Sequence, residues 1–522
     1  MQAGEAAGAV PWDVAQSIQQ RIARLPDAAR SVLGAAAVMG RRLAIALLPL
    51  VIDRPEPEVA DALEVARRAR LLEPTPDGGL RFAHDVIREV IETDWGAGRR
   101  VALHRRIVAV LEREGAIATG RRPVELLAYH CVRAGETERA TVYLALAADR
   151  AHAAGAMHAE AALLGQAAAL AEHAGQEALA NDFRLRCGHV HFEIGRWEDA
   201  RADLEAGLAG PPPHAGERRC RALVTLAMVC HWLFDVPSTR RYGAEAKTLA
   251  ERLDRRDLVA QALSALAFAD SSDGDIGSSL DRYRRAWDLA GPAHRRQLVP
   301  AVEMSSLIRY WRGDFADAAT SGHEALRLAR EVGDVTSIAR ALGNLGLALT
   351  GAARYAEASE AFRESRQFCR QHDLRQWLAR SIAMDAGFRL AVGDFTAAEA
   401  LAEEAREMSR AIDWPLAAVS SALDLVFCFA RRGERDARAE SLLAEAAAAA
   451  TEASGAHGWL WLLRLAAARA ELAVARGDWD AALVAADEAI ARARRHGRPK
   501  YDVFGLTARG RAALGSGHRA AA

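Results

Sequence analysis

GDFADA, residues 313–318, decides how this chain folds. The same order of a small residue, a polar residue, an aromatic and, five places on, an alanine recurs as GRWEDA at 195–200, ARYAEA at 353–358, GDFTAA at 393–398 and GDWDAA at 477–482. Weaker copies begin at Gly155, Asp235, Gly274 and Gly433, and a last one, GHRAAA, at Gly517, so successive copies lie 39 to 44 residues apart. The chemistry of the pattern is a turn between two helices. Gly313 can take the left-handed conformation that ends one helix. Asp314 can cap the next by accepting a free N–H of its first turn. Phe315 supplies an apolar plug, and Ala318 lets the two helices approach closely. A second breaker sits between these turns, at Gly175, at Gly333 and at Asp413-Trp414-Pro415. Each unit is therefore two helices of about four to five turns. One such unit cannot bury its own apolar face, but stacked units can.

Two all-α solenoid classes compete at this period. HEAT and armadillo repeats run about 40–47 residues and tetratricopeptide repeats about 34. The G-D-[FW]-x-x-A turn resembles tetratricopeptide repeats, with helices about a turn and a half longer in total. The expected fold is an all-α, tetratricopeptide-type superhelix. Glycine, aspartate, aromatic and alanine at these positions serve the fold; they indicate a binding scaffold and leave the ligand open.

Outward from the repeats, residues 15–97 break the period. Ser17 to Gly40 reads as helix with a break at Leu25-Pro26-Asp27, Leu43 to Ile52 as a short apolar helix, and Glu58 to Arg68 as an amphipathic helix begun by Pro55 and Pro57. LLEPTPDGGLRFAH, 71–84, reads as a β-hairpin turning on Pro76-Asp77-Gly78-Gly79. Another helix starts at Val86. Three helices and a hairpin suggest a winged helix. The expected organisation is a tail over 1–14, a winged-helix-like domain over 15–97, a helical connector over 98–134 and repeats of period about 40 over 135–522.

The runs RLPDAARSVLGAAAVMG, LLEP…GLRFAHDVIREVI, RRVALHRRIVAVLE and ELLAYHCVRAG occur in that order within residues 1–150. This region resembles the segment that follows the ATPase core in signal-transduction ATPases with numerous domains (STAND), and especially large bacterial LuxR-type regulators. The resemblance implies a sensor arm. Ala83-His84-Asp85 is similar to the family's Met-His-Asp signature, which places His84 and Asp85 beside the phosphates of a bound ADP if a nucleotide domain is supplied elsewhere. Without one, His84 caps the helix that follows or closes the hairpin. The phosphate loop itself is missing. G-x-x-x-x-G-K-[ST] requires lysine, and lysine stands only at 247 and 500, in neither case within that pattern. No LuxR-like DNA-binding helix-turn-helix follows the repeats, so the chain reads as a split, truncated or degenerate relative.

Composition narrows the function classes. The 522 residues are 51% hydrophobic and 26% charged, and the formal charge is 68 − 69 = −1. That balance gives no reason to expect nucleic acid or membrane as a partner. The six scattered cysteines form no C-x-x-C pair, no basic and apolar leader opens the chain, and the apolar run 43–52 is too short to span a bilayer, which together suggest the cytoplasm. Cys187 and His191, four apart on a helix, offer two metal ligands, fewer than a site needs. No catalytic motif stands out, so no enzyme, no metal and no cofactor of its own is expected. Trp232, Trp311 and Trp377 are candidates to line a concave binding groove, with core packing as the alternative for each. The expected partners are a protein or small effector in the superhelix and, for the arm as a whole, a P-loop ATPase module. The alternative is a stand-alone scaffold for assembling proteins. Val503, Phe504 and Leu506 in the last helix want a partner, and this predicts fast exchange after Gly497.

Overall fold

The computed structural model describes residues 12–40, 44–76, 78–119, 123–210, 216–434, 437–452 and 458–517. Helix follows helix through nearly all of them, with one two-stranded hairpin. The chain divides into two compact units, Met1–Cys187 and Gly188–Ala522. The division falls within the helix Glu177–Glu193, some fifty residues beyond the passage at 134/135 that the period suggests.

In the first unit the opening helix spans Trp12–Ala23, so it begins inside the stretch expected to be tail; residues 1–11 lie outside the described part. Pro26 caps the next helix, Asp27–Met39, because a proline tolerates the N-terminal edge and not the interior. Its face of Val32, Leu33 and Val38 is buried, and Gly34 leaves room for the Trp95 ring; a Cβ there would sit 2.1 Å from Cζ2. Leu48–Ile52 and Glu56–Arg68 follow. Leu72–Pro74 pairs antiparallel with Leu80–Phe82 in the register Leu72↔Phe82, which turns Leu72 and Phe82 into the core. His84 then precedes the helix Asp85–Thr93. Farther on, His104 and His130 meet Nδ1 to Nδ1 at 2.8 Å between Ala97–Thr119 and Val124–Ala134. Burial holds both rings below the usual imidazole range, His104 at about 4 and His130 at about 3. Both are therefore neutral at pH 7, one donating to the other.

The second unit is the repeat superhelix. Its turns at 195, 274, 313, 393, 433 and 477 each hold a glycine with φ between +71° and +90°, and Ala353 takes φ +59° in the same place. At the copy beginning with Asp235 the left-handed residue is Phe234, and Asp235 is the cap. A second series of left-handed residues, Asp254, Gly333, Asp373, Asp413 and Gly497, closes the alternate helices. Asp235, Asp275, Asp334, Asp394 and Asp478 cap as expected, each carboxylate accepting from a backbone N–H two or three residues on. Asp314 does not: Arg312 donates to its carboxylate instead.

Ala200, Ala318, Ala358, Ala398 and Ala482 are all fully buried, which is the close approach that the motif's alanine permits. The aromatic plugs Phe315, Phe395 and Trp479, each the first residue of its helix, are only half-buried. Phe315 lies on Gly351 and Trp479 on Gly515, each 36 residues on, where a Cβ would meet the ring at 2.2 and 2.6 Å. The ring fills the space over a glycine at the end of the next helix, and part of it stays in solvent. Tyr355, at the same place in its repeat, is 47% exposed.

The winding brings distant repeats of this unit together. Gln376 donates to the carbonyl of Gly195 at 3.2 Å and Trp459 to that of Ser271 at 3.1 Å. His496 Nδ1 lies 3.4 Å from the carbonyl of Gly274. Among the described residues no helix is long and apolar enough to cross a membrane.

Candidate ligand cavity

Alternate helices of the repeats, Val335–Gly351, Arg375–Ala391, Pro415–Arg432, Gly458–Arg476 and Pro499–Gly515, pack on one another in succession, and the period aligns their side chains. One aligned series is Arg340, Arg380, Ser420, Leu460 and Lys500; another is Asn344, Met384, Asp424, Arg464 and Phe504. Each step is 40 residues, so these positions stack into a stripe. From Arg380 onward all of them line a cavity of about 180 Å³, joined by Tyr310, Trp311, Leu347, Phe388, Phe427, Arg431, Arg498 and Tyr501. That volume holds on the order of ten waters.

The cavity has an apolar wall and a cationic one. Phe427 and Phe504 meet edge to face with centroids 6.1 Å apart, and Phe504 in turn meets Tyr501 at 5.5 Å. Five cations line it, Arg380, Arg431, Arg464, Arg498 and Lys500, against one carboxylate, Asp424. Arg431 is neutralised from behind by Glu471 through two bonds of 2.9 Å. Arg464 reaches Asp424 at 2.6 Å. Arg380 donates to the amide oxygen of Asn344 at 2.8 Å and feels the buried carboxylate of Glu303. Lys500 Nζ is 3.5 Å from the Tyr310 hydroxyl. Arg498 is 3% exposed, its guanidinium lies over Trp311, Trp459 and Tyr501 at 5.3–5.8 Å, and its Nε and Nη1 have no hydrogen-bond partner among the described residues. Five cations less two paired carboxylates leave an excess of three.

The titration of the lining reports the same field. Burial pushes Arg380 and Arg498 down to about 10. Burial also pushes the Tyr501 phenol up, but Arg464, Lys500 and Arg498 together outweigh it and hold the phenol below its ordinary value.

A second cluster of aromatics lies elsewhere in the unit. Trp197 stacks on Trp232 at 5.8 Å, Trp232 meets Trp377 at 5.1 Å, Trp377 meets Trp414 at 5.8 Å and Trp414 returns to Trp197 at 5.7 Å. Arg340 lies over Trp232 and Trp377 at 5.8 and 5.3 Å. Its guanidinium binds Glu303 with both arms, Nε to Oε2 at 3.1 Å, and Glu303 is 1% exposed.

These positions locate the residues singled out from sequence. Trp311 lines the cavity; Trp232 and Trp377 are enclosed in the four-tryptophan cluster. His84 and Asp85 are exposed at the start of their helix, and His84 makes no side-chain cap bond. His191 Nδ1 sits 2.8 Å from Asp203, and Cys187 is buried, donating to the carbonyl of Ala161 at 3.5 Å. Sequence reading missed the cations of the cavity. The signal was present: positions that keep the 40-residue register while changing from repeat to repeat differ from the constant turn residues, and one of the chain's two lysines stands among them.

Residues 303–371 match the tetratricopeptide repeat family. No curated protein matches the sequence. Among solved structures the chain is similar to a STAND protein with a tetratricopeptide repeat sensor from Pyrococcus horikoshii, at 13% identity and a TM-score of 0.47 over 85% of this chain. This chain spans 65% of the length of that protein. It is also similar to a Rap protein complexed with competence and sporulation factor, at 11% identity and TM-score 0.45 over 64% of this chain and 99% of the other. A third is aspartyl phosphate phosphatase F from Bacillus subtilis, at 12% identity and TM-score 0.42 over 78% and 96%.

Proposed function

We propose that the chain is the sensor and interaction arm of a STAND ATPase-type, LuxR-like bacterial regulator, taking an effector inside its superhelix and acting on a P-loop partner through the first unit. The observation that carries this reading is the lined cavity on the inner stripe of the repeats, with a buried arginine left short of partners. A pure scaffold has no use for that arrangement, because an unpaired buried cation destabilises the fold it sits in. The order of motifs through residues 1–150 supports the regulator. In this reading the hairpin and its helices act as the winged helix, and the exposed His84 and Asp85 meet the ADP phosphates of the partner's nucleotide site.

Cross-linking the full chain in native lysate, followed by mass spectrometry, tests it. The expected result is a protein carrying G-x-x-x-x-G-K-[ST], cross-linked near residues 80–95, whose recovery falls several-fold with His84→Ala. An assembly without any P-loop protein would replace this reading with the stand-alone scaffold.

A further inference from the structure

The cavity specifies more than that something binds. Trp311, Leu347, Phe388, Phe427 and Phe504 offer a dry wall, while Arg498, Lys500 and Arg380 lie on the lining with no carboxylate of their own. Asp424, Glu471 and Glu303 are the nearby acids, and each is hydrogen-bonded to another arginine, Arg464, Arg431 and Arg340 respectively. The last helix begins at Pro499, so the positive end of its backbone dipole adds to the same field. Arg498 lies on the lining with its Nε and Nη1 making no hydrogen bond among the described residues, so an anionic head beside it meets an uncompensated guanidinium charge.

We infer that this cavity binds a small anion with an apolar body, of about ten non-hydrogen atoms in all, its carboxylate or phosphate head on Arg498 and Lys500 and its body against Phe427, Phe504 and Trp311. Size argues for a small molecule over a folded protein: a cavity of about 180 Å³ takes no helix or strand. The head displaces no internal ion pair, since the cations it meets have none. The inference rests on the effector-binding half of the reading above and needs no partner protein.

The test is calorimetric titration of the purified full chain with octanoate, octyl phosphate and 1-octanol, which share one tail. At least one anion should bind tenfold or more tightly than the alcohol, and the tighter of the two identifies the head. Arg498→Gln should weaken the anion at least tenfold and leave the alcohol unchanged. Met384→Trp, which fills the cavity, should abolish both. Lys500→Gln serves as a second charge variant should Arg498→Gln lose its helical circular dichroism. Equal binding of alcohol and anion, no binding of any of the three, or anion binding indifferent to both charge variants and to Met384→Trp overturns the inference. Because no lysate is involved, anion binding without a P-loop partner leaves the cavity standing and removes only the regulator; a P-loop partner without anion binding does the reverse.

Discussion

Two places inside the repeat unit stack arginine on tryptophan, and they end differently. Arg340, over Trp232 and Trp377, is given a carboxylate by the helix Val299–Arg312, and the pair is buried. Arg498, over Trp311 and Trp459, is given none, and space remains beside it. The aromatic contact is the same in kind, worth about 0.5–2 kcal/mol. What separates a structural arginine from one that waits for a ligand is whether the fold itself supplies the counter-charge. Cation–π contact alone would not have told them apart.

The largest effect should come from breaking the closed site. Arg340→Met leaves Glu303 buried without its partner and should cost about 3–5 kcal/mol in urea unfolding at pH 8. A cost below about 1 kcal/mol would mean that the pair is no more structural than the cavity. Next comes filling the open site. Octanoate at a hundred times its Kd should stabilise the wild type by about 2.7 kcal/mol and the Arg498→Gln variant by far less. Stabilisation of both alike would place the anion elsewhere.

A third measurement uses pH. Burial, acting against Arg340, pushes Glu303 up to about 7 from the ordinary 4.5. Between those values the native chain keeps a proton that the unfolded chain has lost. This contribution to stability is therefore fully present below about 4.5 and is lost as pH rises towards about 7, at no more than about 1.4 kcal/mol per pH unit. Glu303→Gln should remove that part of the slope, whereas Arg498→Gln should not touch it; an unchanged slope in Glu303→Gln would assign it to other groups. The smallest effect should be Arg498→Met. Removing an unpaired buried cation offsets the lost aromatic contact, so stability should stay within about 1 kcal/mol of wild type or rise. A loss as large as that of Arg340→Met would erase the distinction between the two sites.

Much of this architecture is legible in the residue spacing alone. The 40-residue period locates the turns at 195, 274, 313, 353, 393, 433 and 477, because a chain reversal between packed helices needs a left-handed residue and the sequence marks it with glycine or a small residue. The hairpin is legible because Pro, Asp and Gly cluster between short apolar runs. Burial is less so. Phe315 and Trp479 are half-buried, since an apolar residue at a fixed register is covered only as far as its neighbours reach. Asp314 resembles the other caps in sequence, but competition from Arg312, two residues away, depends on side-chain rotamers that periodicity does not encode. The site is the least legible part. Arg498 follows a turn glycine and lies among arginines at 492, 494 and 495, so by sequence it belongs to a solvated run. Only the winding of the superhelix turns it inward, onto tryptophans far from it in the chain.

That winding also changes how the unit should come apart. A solenoid held only by neighbouring repeats loses its ends first, which is what the sequence predicts after Gly497. Here the links from Trp459 to Ser271 and from His496 to Gly274 join points 188 and 222 residues apart. Arg498 and Tyr501, just beyond, are buried, although Val503 and Leu514 remain exposed. Closing a loop of that length adds an entropic barrier that grows only logarithmically with span, but it must be crossed before the link gives anything back. Refolding of this unit should therefore be slow and late in its final step. Once closed, the strand of repeats ceases to behave as a row of independent links, and its last helix opens together with its middle.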